Sequence, residues 1–484
     1  MQKLGFLRIA TVAALIGAAI VSPAQSYKVL FNFNGINGQS PLSLIQGFDG
    51  NMYGTTQSGG VYGHGTVFKI TARGKLTTLY SFCPQSECTD GDFPYALIQA
   101  ADGSFYGTTV YGGDFSCNAQ LGCGTVFKMT AGGTLTTLHS LHSNEGKYPL
   151  AGVIQARDGN FYGTTNLGGS KGYGTVFKIT SDGTLTTVYN FCPQLGCPDG
   201  MLPAAGLIQA TDGNFYGSTT DGGNGGTLFK ITPAGKFTIL HTFDGYDGNS
   251  PVAPFIQVGS TFYGTTSQGG SHFGSDNSGT VFMSTAAGDL TTLYNFCFYD
   301  DCVGYSYNGS YPEGLIQATD GNFYGTTQNG GNVCAPVLGC GSIFKITPAG
   351  RLTPLSLFCT QFYDCQEGYW PLAGLLQATK GTFYGTASQG GTAGYGTVFS
   401  LSVGLGPFVA LNPSSGKVGW QISILGDNLK GTTGATFNGL SANFTVLSPT
   451  HIKATVPTGA TTGTIQVTTP SGTLNSNVAF QILP

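Results

Sequence analysis

The chain has 484 residues, of which 78 are glycine and only 9% are charged, and its formal net charge is -4. That charge balance excludes the basic footprint of a nucleic-acid-binding protein. The 40% hydrophobic and 12% aromatic content excludes a disordered or fibrous chain and indicates a packed, turn-rich β-protein.

In chain order, residues 1–24 read as a secretory signal peptide. Lys3 and Arg8 supply a positive start, Ile9 to Val21 an apolar run short for a bilayer span, and Ser22-Pro23-Ala24 small residues for cleavage. An uncleaved anchor is the competing reading. No later stretch is apolar enough to span a bilayer, so no membrane span is expected after signal cleavage. The expected location is secreted, periplasmic or cell-surface.

Residues 25–404 carry a repeat. An Asp-Gly turn followed by an aromatic strand, as in Thr211-Asp212-Gly213-Asn214-Phe215-Tyr216-Gly217, recurs with its tyrosine at 53, 106, 162, 216, 263, 324 and 384. The Asp-Gly pair suits a type I′ hairpin turn. Each repeat holds four strand signals: a short run ending in Gln, the FYGTT strand, GTVFKIT and LTTLYNF. Such meanders repeated radially form a β-propeller. The mature chain opens on a fourth-type strand, Tyr27–Phe33, and the last repeat stops after its third, Gly396–Ser402. The fold expected is therefore all-β: a seven-bladed β-propeller closed by the N-terminal strand.

The turns between first and second strands, and between third and fourth, are short. The other two loop sets vary in length, lie together on the opposite face and hold all twelve cysteines. These form local pairs, Cys83/Cys88, Cys117/Cys123, Cys192/Cys197, Cys297/Cys302, Cys334/Cys340 and Cys359/Cys365. Six short-range disulfides in an oxidising compartment are expected, with zinc as the alternative. Variable loops on a rigid scaffold are where function usually sits.

Before each first strand comes an acid or amide, Gly, two variable residues and Pro. The leading residues are Asn37, Asp90, Glu145, Asp199, Asp247, Asn308 and Glu367, and aromatic residues precede the proline at Phe93, Tyr148, Tyr311 and Trp370. Oxygen-bearing side chains and flat rings at the channel mouth would suit hydroxyls and sugar faces. Turn chemistry is the plain alternative, and Ca²⁺ among the oxygens a further one. No other cofactor is expected. The glutamines ending the first strands (Gln46, Gln99, Gln155, Gln209, Gln257, Gln317 and Gln377) read as an inter-blade ladder, because buried amides need partners. Lys69, Lys128, Lys178, Lys230 and Lys345 read as solvent charges on the third strand, and His139, His142 and His241 as packing residues of fourth strands.

Residues 405–484 lack both repeat and cysteine and alternate polar and apolar residues, as in Gln421–Leu425 and Thr464–Thr468. They read as a small immunoglobulin-like β-sandwich.

The DGNFYGTT, Gly-Gly and GTVFKIT strings resemble the GloVer tandem-repeat family of secreted bacterial proteins over residues 27–403. Leu411-Asn412-Pro413-Ser414-Ser415-Gly416 and Val456-Pro457-Thr458-Gly459 resemble an IPT/TIG domain. Members of the repeat family tend to end in a surface-anchoring signal, and the tail Gln481-Ile482-Leu483-Pro484 does not resemble one. The resemblance implies architecture and no established activity. The leading functional expectation is non-enzymatic binding of carbohydrate or a cell-surface polymer at the long-looped face. The alternatives are a polysaccharide hydrolase or lyase using mouth carboxylates, and a scaffold or adhesin for an extracellular protein with the tail as spacer.

Overall fold

A computed structural model gives the fold of residues 25–85, 87–118, 120–270, 277–297, 308–331, 339–359 and 365–484. The expected signal peptide lies outside these. The repeat region is all-β, with seven four-stranded antiparallel sheets at 39–81, 92–140, 154–190, 208–242, 256–297, 310–357 and 376–402. The last has only three strands of its own. Ser26–Asn32 completes it by pairing antiparallel with Thr397–Ser402, Tyr27 opposite Leu401 and Asn32 opposite Thr397.

The FYGTT motif explains how sheets join. Its glycine leaves room for the phenylalanine of GTVF. A Cβ at Gly217 would stand 2.6 Å from the Phe229 ring tip, and one at Gly385 2.4 Å from that of Phe399. Its tyrosine stacks on the aromatic ring that starts the same strand in the next blade. Tyr53 meets Phe105, Tyr106 meets Phe161, and the series continues to Tyr324 on Phe383. Met52 replaces the phenylalanine in the first blade, and Tyr384 shares its core cluster. The first threonine donates its hydroxyl to a first-strand carbonyl of the next blade. Thr55 reaches Tyr95 at 2.8 Å, Thr108 reaches Ala151, Thr164 reaches Ala205, Ser218 reaches Pro251, Thr265 reaches Glu313 and Thr326 reaches Ala373. Thr386 of the seventh sheet reaches Leu42 of the first and shuts the ring. The second threonine stays within its blade, as in Thr56 to Thr66 at 2.8 Å.

The glutamine ladder is present. Gln99 accepts from the Phe48 amide of the preceding blade at 2.8 Å, and Gln46 from Thr379 of the seventh at 2.9 Å. Gln155, Gln209, Gln257 and Gln377 do the same. Gln317 instead donates to Gly321 in its own blade. The hairpin before it, at Val258–Thr261, is shorter than the others.

Two expectations change. The Asp-Gly hairpins are not type I′ turns, since only the glycine has positive φ (Gly213, +84°). The Gly213 amide bonds the Ala210 carbonyl, so the loop is an ordinary turn closed by a left-handed glycine. The aspartate caps the turn through Asn214 N–H and accepts the Tyr216 hydroxyl. Nor are the lysines simple solvent charges. Lys69, Lys128, Lys178 and Lys345 pair with Asp49, Asp102, Asp158 and Asp320 at 2.5–3.1 Å and lie over the tyrosine rings. Lys230 acts electrostatically on Asp212.

The tail forms two four-stranded sheets around Val409, Ile422, Ile424, Phe437, Ile452, Ile465, Val467 and Phe480. The alternation expected at Thr464–Thr468 holds along Ile465–Thr469. In Gln421–Leu425 it breaks, because Ser423 is buried. Ser423 sits in register with Asn412, which donates to the Gln99 carbonyl at 2.7 Å, so this edge of the sheet faces the propeller. Docking uses residues that depart from the repeat. Phe48 stacks on His451 at 4.5 Å, and Lys380 stands at the hairpin aspartate position and pairs with Asp427 at 3.3 Å. The tail contacts the short turns of blades seven, one and two, and Trp420, Leu483 and Pro484 share a groove with Arg157 and Gln209 of blades three and four. It is packed on the propeller and does not extend from it as a spacer.

Two consequences of this packing are measurable. Thr386→Val removes the bond that joins the last blade to the first and should cost about 1 kcal/mol, read from denaturant unfolding. The hairpin aspartates Asp49, Asp102, Asp158, Asp212 and Asp320 are opposed by burial. Hydrogen bonds from Lys, Asn and Tyr outweigh it and lower their pKa values. Their stabilisation is present above the ordinary aspartate pKa and is lost as pH falls through the lower folded value. Tm should therefore drop below about pH 4, and less steeply in Lys128→Met.

Candidate functional site

The long-looped face is built around the prolines that open each first strand. The residue before each proline has positive φ: Ser40, Phe93, Tyr148, Leu202, Ser250, Tyr311 and Trp370, all at +53° to +60°. For residues with a Cβ this is costly, on the order of 1–2 kcal/mol each. The turn directs the backbone N–H to the preceding blade. Phe93 bonds His64, Tyr148 bonds Cys123, Leu202 bonds Tyr173, Ser250 bonds Gly225, Trp370 bonds Cys340 and Ser40 bonds Tyr395, at 3.0–3.2 Å. The proline ring then lies on the glycine of the preceding GTVF strand. A Cβ at Gly65 would stand 2.5 Å from Pro94, and one at Gly396 2.6 Å from Pro41. Strain at the mouth is thus offset by contacts between blades, and the aromatic side chains there point in fixed directions.

Five of the leading acids and amides tie their loops to the fourth strand of the blade just completed. Asp90 accepts the Tyr80 hydroxyl at 2.8 Å and the Cys83 amide. Asp199 accepts Tyr189 and the Cys192 amide, and Asn308 donates to Tyr294. Glu145 pairs with His139 at 2.8 Å and Asp247 with His241 at 2.6 Å, so these histidines do more than pack. His142, beyond the strand, pairs with Asp114, whose carboxyl is held down at about 2 by hydrogen bonds from Ser116 and then His142. Asn37 and Asn34 cap one another. The Glu367 carbonyl accepts from Tyr27 and Thr397.

Of the six expected disulfides, four staple these loops: Cys83–Cys88, Cys117–Cys123, Cys192–Cys197 and Cys359–Cys365. The expected bond between Cys297 and Cys302 is not among them, because Cys302 lies outside the described residues. Cys334, the expected partner of Cys340, also lies outside them, although Cys340 itself is disulfide-bonded. Among the described residues, the groups of metal-capable side chains are His64/Cys83/Cys88 and Cys340/Cys359/Cys365, and both draw their cysteines from disulfides.

The face gathers most of the exposed apolar side chains of the propeller. Among the described residues, nine large apolar side chains of the propeller are exposed. Eight of them, Ile36, Val61, Tyr62, Leu121, Tyr173, Leu195, Tyr246 and Tyr395, lie on its long loops. Among the described residues of the propeller, Asp199 Oδ1, Ser310 Oγ and Trp370 Nε1 are buried polar atoms without partners.

Residues 19–223 and 193–399 match the model of the Gloeobacter/Verrucomicrobia repeat, and residues 408–482 that of the IPT/TIG domain. The chain belongs to the Gloeobacter/Verrucomicrobia repeat family. No curated protein matches it. Among solved structures, it is similar to a candidate 6-phosphogluconolactonase from Bacteroides uniformis (15% identity, TM-score 0.44, covering 72% of this chain and 90% of that one). It is also similar to a Bacteroides thetaiotaomicron protein of unknown function (14%, TM-score 0.41, 78% and 76%) and to a luciferin-regenerating enzyme (13%, TM-score 0.38, 65% and 93%). At these identities no activity transfers. No helix among the described residues is long and apolar enough to cross a membrane.

In this Gloeobacter/Verrucomicrobia repeat protein, the position four residues before each first-strand glutamine holds Leu42, Ala151, Ala205, Ala253 and Ala373 in five blades. The other two hold Tyr95 and Glu313. Sequence reading passed over both, yet departure from the repeat was the available signal. Both are part-accessible to solvent. Burial raises the Glu313 pKa to about 7. Burial first, and then the Glu313 charge, push Tyr95 to about 12.

Two expected outcomes test this geometry. Tyr189→Phe leaves Asp199 with only the Cys192 amide and should cost about 1–2 kcal/mol in equilibrium unfolding. Glu313 has a folded pKa above its unfolded value, so ionising it opposes folding, and stability should fall as pH rises from about 4.5 to 7. Glu313→Gln should therefore raise Tm at pH 8 and leave it unchanged at pH 4.

Proposed function

We propose that the protein is an exported binding protein whose long-looped face holds a carbohydrate or a cell-surface polymer. The observation that carries this reading is the concentration of exposed apolar side chains on that one face. Exposed apolar surface gathered in one region marks interaction sites. Four of the eight are tyrosines, which offer a ring to an apolar sugar face and a hydroxyl to its rim. The carboxylates of Asp90, Glu145, Asp199 and Asp247 are engaged in tying loops to fourth strands, which favours binding over carboxylate catalysis. Export is supported by the stapled loops, since disulfides persist in oxidising compartments.

The test is a glycan and polysaccharide array with the full chain, followed by calorimetry on any hit. Tyr62→Ala, Tyr173→Ala and Tyr395→Ala should each weaken binding about tenfold, or 1.4 kcal/mol, with Tm unchanged. Silence across all glycans, or hits indifferent to these tyrosines, would overturn the reading. Turnover of a polysaccharide in the same panel would move it to an enzyme.

A further inference from the structure

The loop that leaves the first blade brings a histidine to a disulfide. The sulfurs of Cys83 and Cys88 and a ring nitrogen of His64 all lie within 4.8 Å of one another. Among the described residues, no other disulfide is grouped this closely with a histidine. His64 Nδ1 stands 3.1 Å from Asp92 Oδ1, which fixes the direction of the ring. Backbone bonds hold the parts in place. The Phe93 amide donates to the His64 carbonyl at 3.2 Å, and the Cys88 carbonyl accepts the Gly91 amide at 2.9 Å and the Gly113 amide at 3.0 Å. The grouping is thus built into the joint between the first two blades.

Cys192–Cys197 supplies the contrast within the same molecule. Both disulfides join cysteines five residues apart. Asp199 accepts a cysteine amide and a fourth-strand tyrosine hydroxyl, as Asp90 does. Where the first loop has His64 and Asp92, however, this one has Tyr173 and Met201. A histidine cation beside a cysteine stabilises its thiolate. A stabilised thiolate is the better leaving group when a disulfide is attacked. Access is present too, since Cys83 and Cys88 are 7% and 8% exposed and the His64 side chain 40%.

We propose that Cys83–Cys88 is a thiol–disulfide exchange site that passes its disulfide to a dithiol, with His64 as the catalytic residue and Asp92 as its positioning residue. An incoming thiolate attacks one sulfur and forms a mixed disulfide. The Cys83–Cys88 bond breaks, and the other sulfur leaves with the electron pair as a thiolate beside the His64 ring. The second thiol of the incoming molecule loses its proton, attacks the mixed disulfide and releases the remaining cysteine. The dithiol is oxidised by two electrons to a disulfide, and its two protons end on Cys83 and Cys88. This site is independent of the carbohydrate reading and stands or falls without it.

The test exposes the oxidised full chain to limiting dithiothreitol or to a reduced peptide bearing two cysteines. Free thiols are alkylated at timed intervals and located by peptide mass spectrometry. Cys83 and Cys88 should become labelled about tenfold faster than Cys192 and Cys197, because only the former pair has a stabilised leaving group. His64→Ala should remove that advantage and leave the Cys192–Cys197 rate unchanged, which also shows that the variant is folded. Added imidazole should restore part of the lost rate, and Asp92→Asn should slow exchange severalfold. Reaction with dithiothreitol alone assigns a small dithiol as the substrate, and reaction with both probes a cysteine pair of a polypeptide. Equal rates at the two disulfides, an unchanged rate in His64→Ala, or no exchange with either probe would each overturn the proposal.

Discussion

The structure depends on one closure. Seven side-chain hydroxyls each reach a carbonyl of the next blade, and the seventh returns to the first. Ser26–Asn32 fills the edge that the last repeat leaves open. A sheet edge is otherwise a template for foreign strands. With the circle shut, each blade has two partners, and at six of the seven prolines the left-handed backbone before the ring is held in place by a bond to the neighbouring blade.

Sevenfold repetition accounts for the scaffold, and departures from it mark where the copies acquire separate roles. On the short-turn face, Phe48 and Lys380 replace the residues of their sister blades and receive His451 and Asp427 of the tail. On the first strands, Tyr95 and Glu313 replace alanine or leucine. The tail therefore occupies one end of the propeller and leaves the stapled, tyrosine-bearing end for partners.

Much of this was legible in the chain. The period, the orphan strand at one end and the missing strand at the other point to a ring, because only a ring uses both. The glutamine ladder followed from the need of a buried amide for a partner. The hairpin type was misread because Asp-Gly serves two turn geometries, and here the aspartate's hydrogen bonds to Asn214 and Tyr216 decide between them. The lysines and histidines were misread because their partners, Asp102 for Lys128 and Glu145 for His139, are brought close by strand pairing and loop closure. Glu313 was invisible to a search for recurring residues because it occurs once.

Closure by the earliest strand also sets an order of assembly. As the chain emerges, Ser26–Asn32 appears first, but its partner Thr397–Ser402 lies some 370 residues downstream. Intermediate blades can form their own meanders as they arrive, while this leading segment has nowhere native to go. Until the final repeat is delivered, it waits as a β-prone ribbon, open to capture by a chaperone or by a second, equally unfinished molecule.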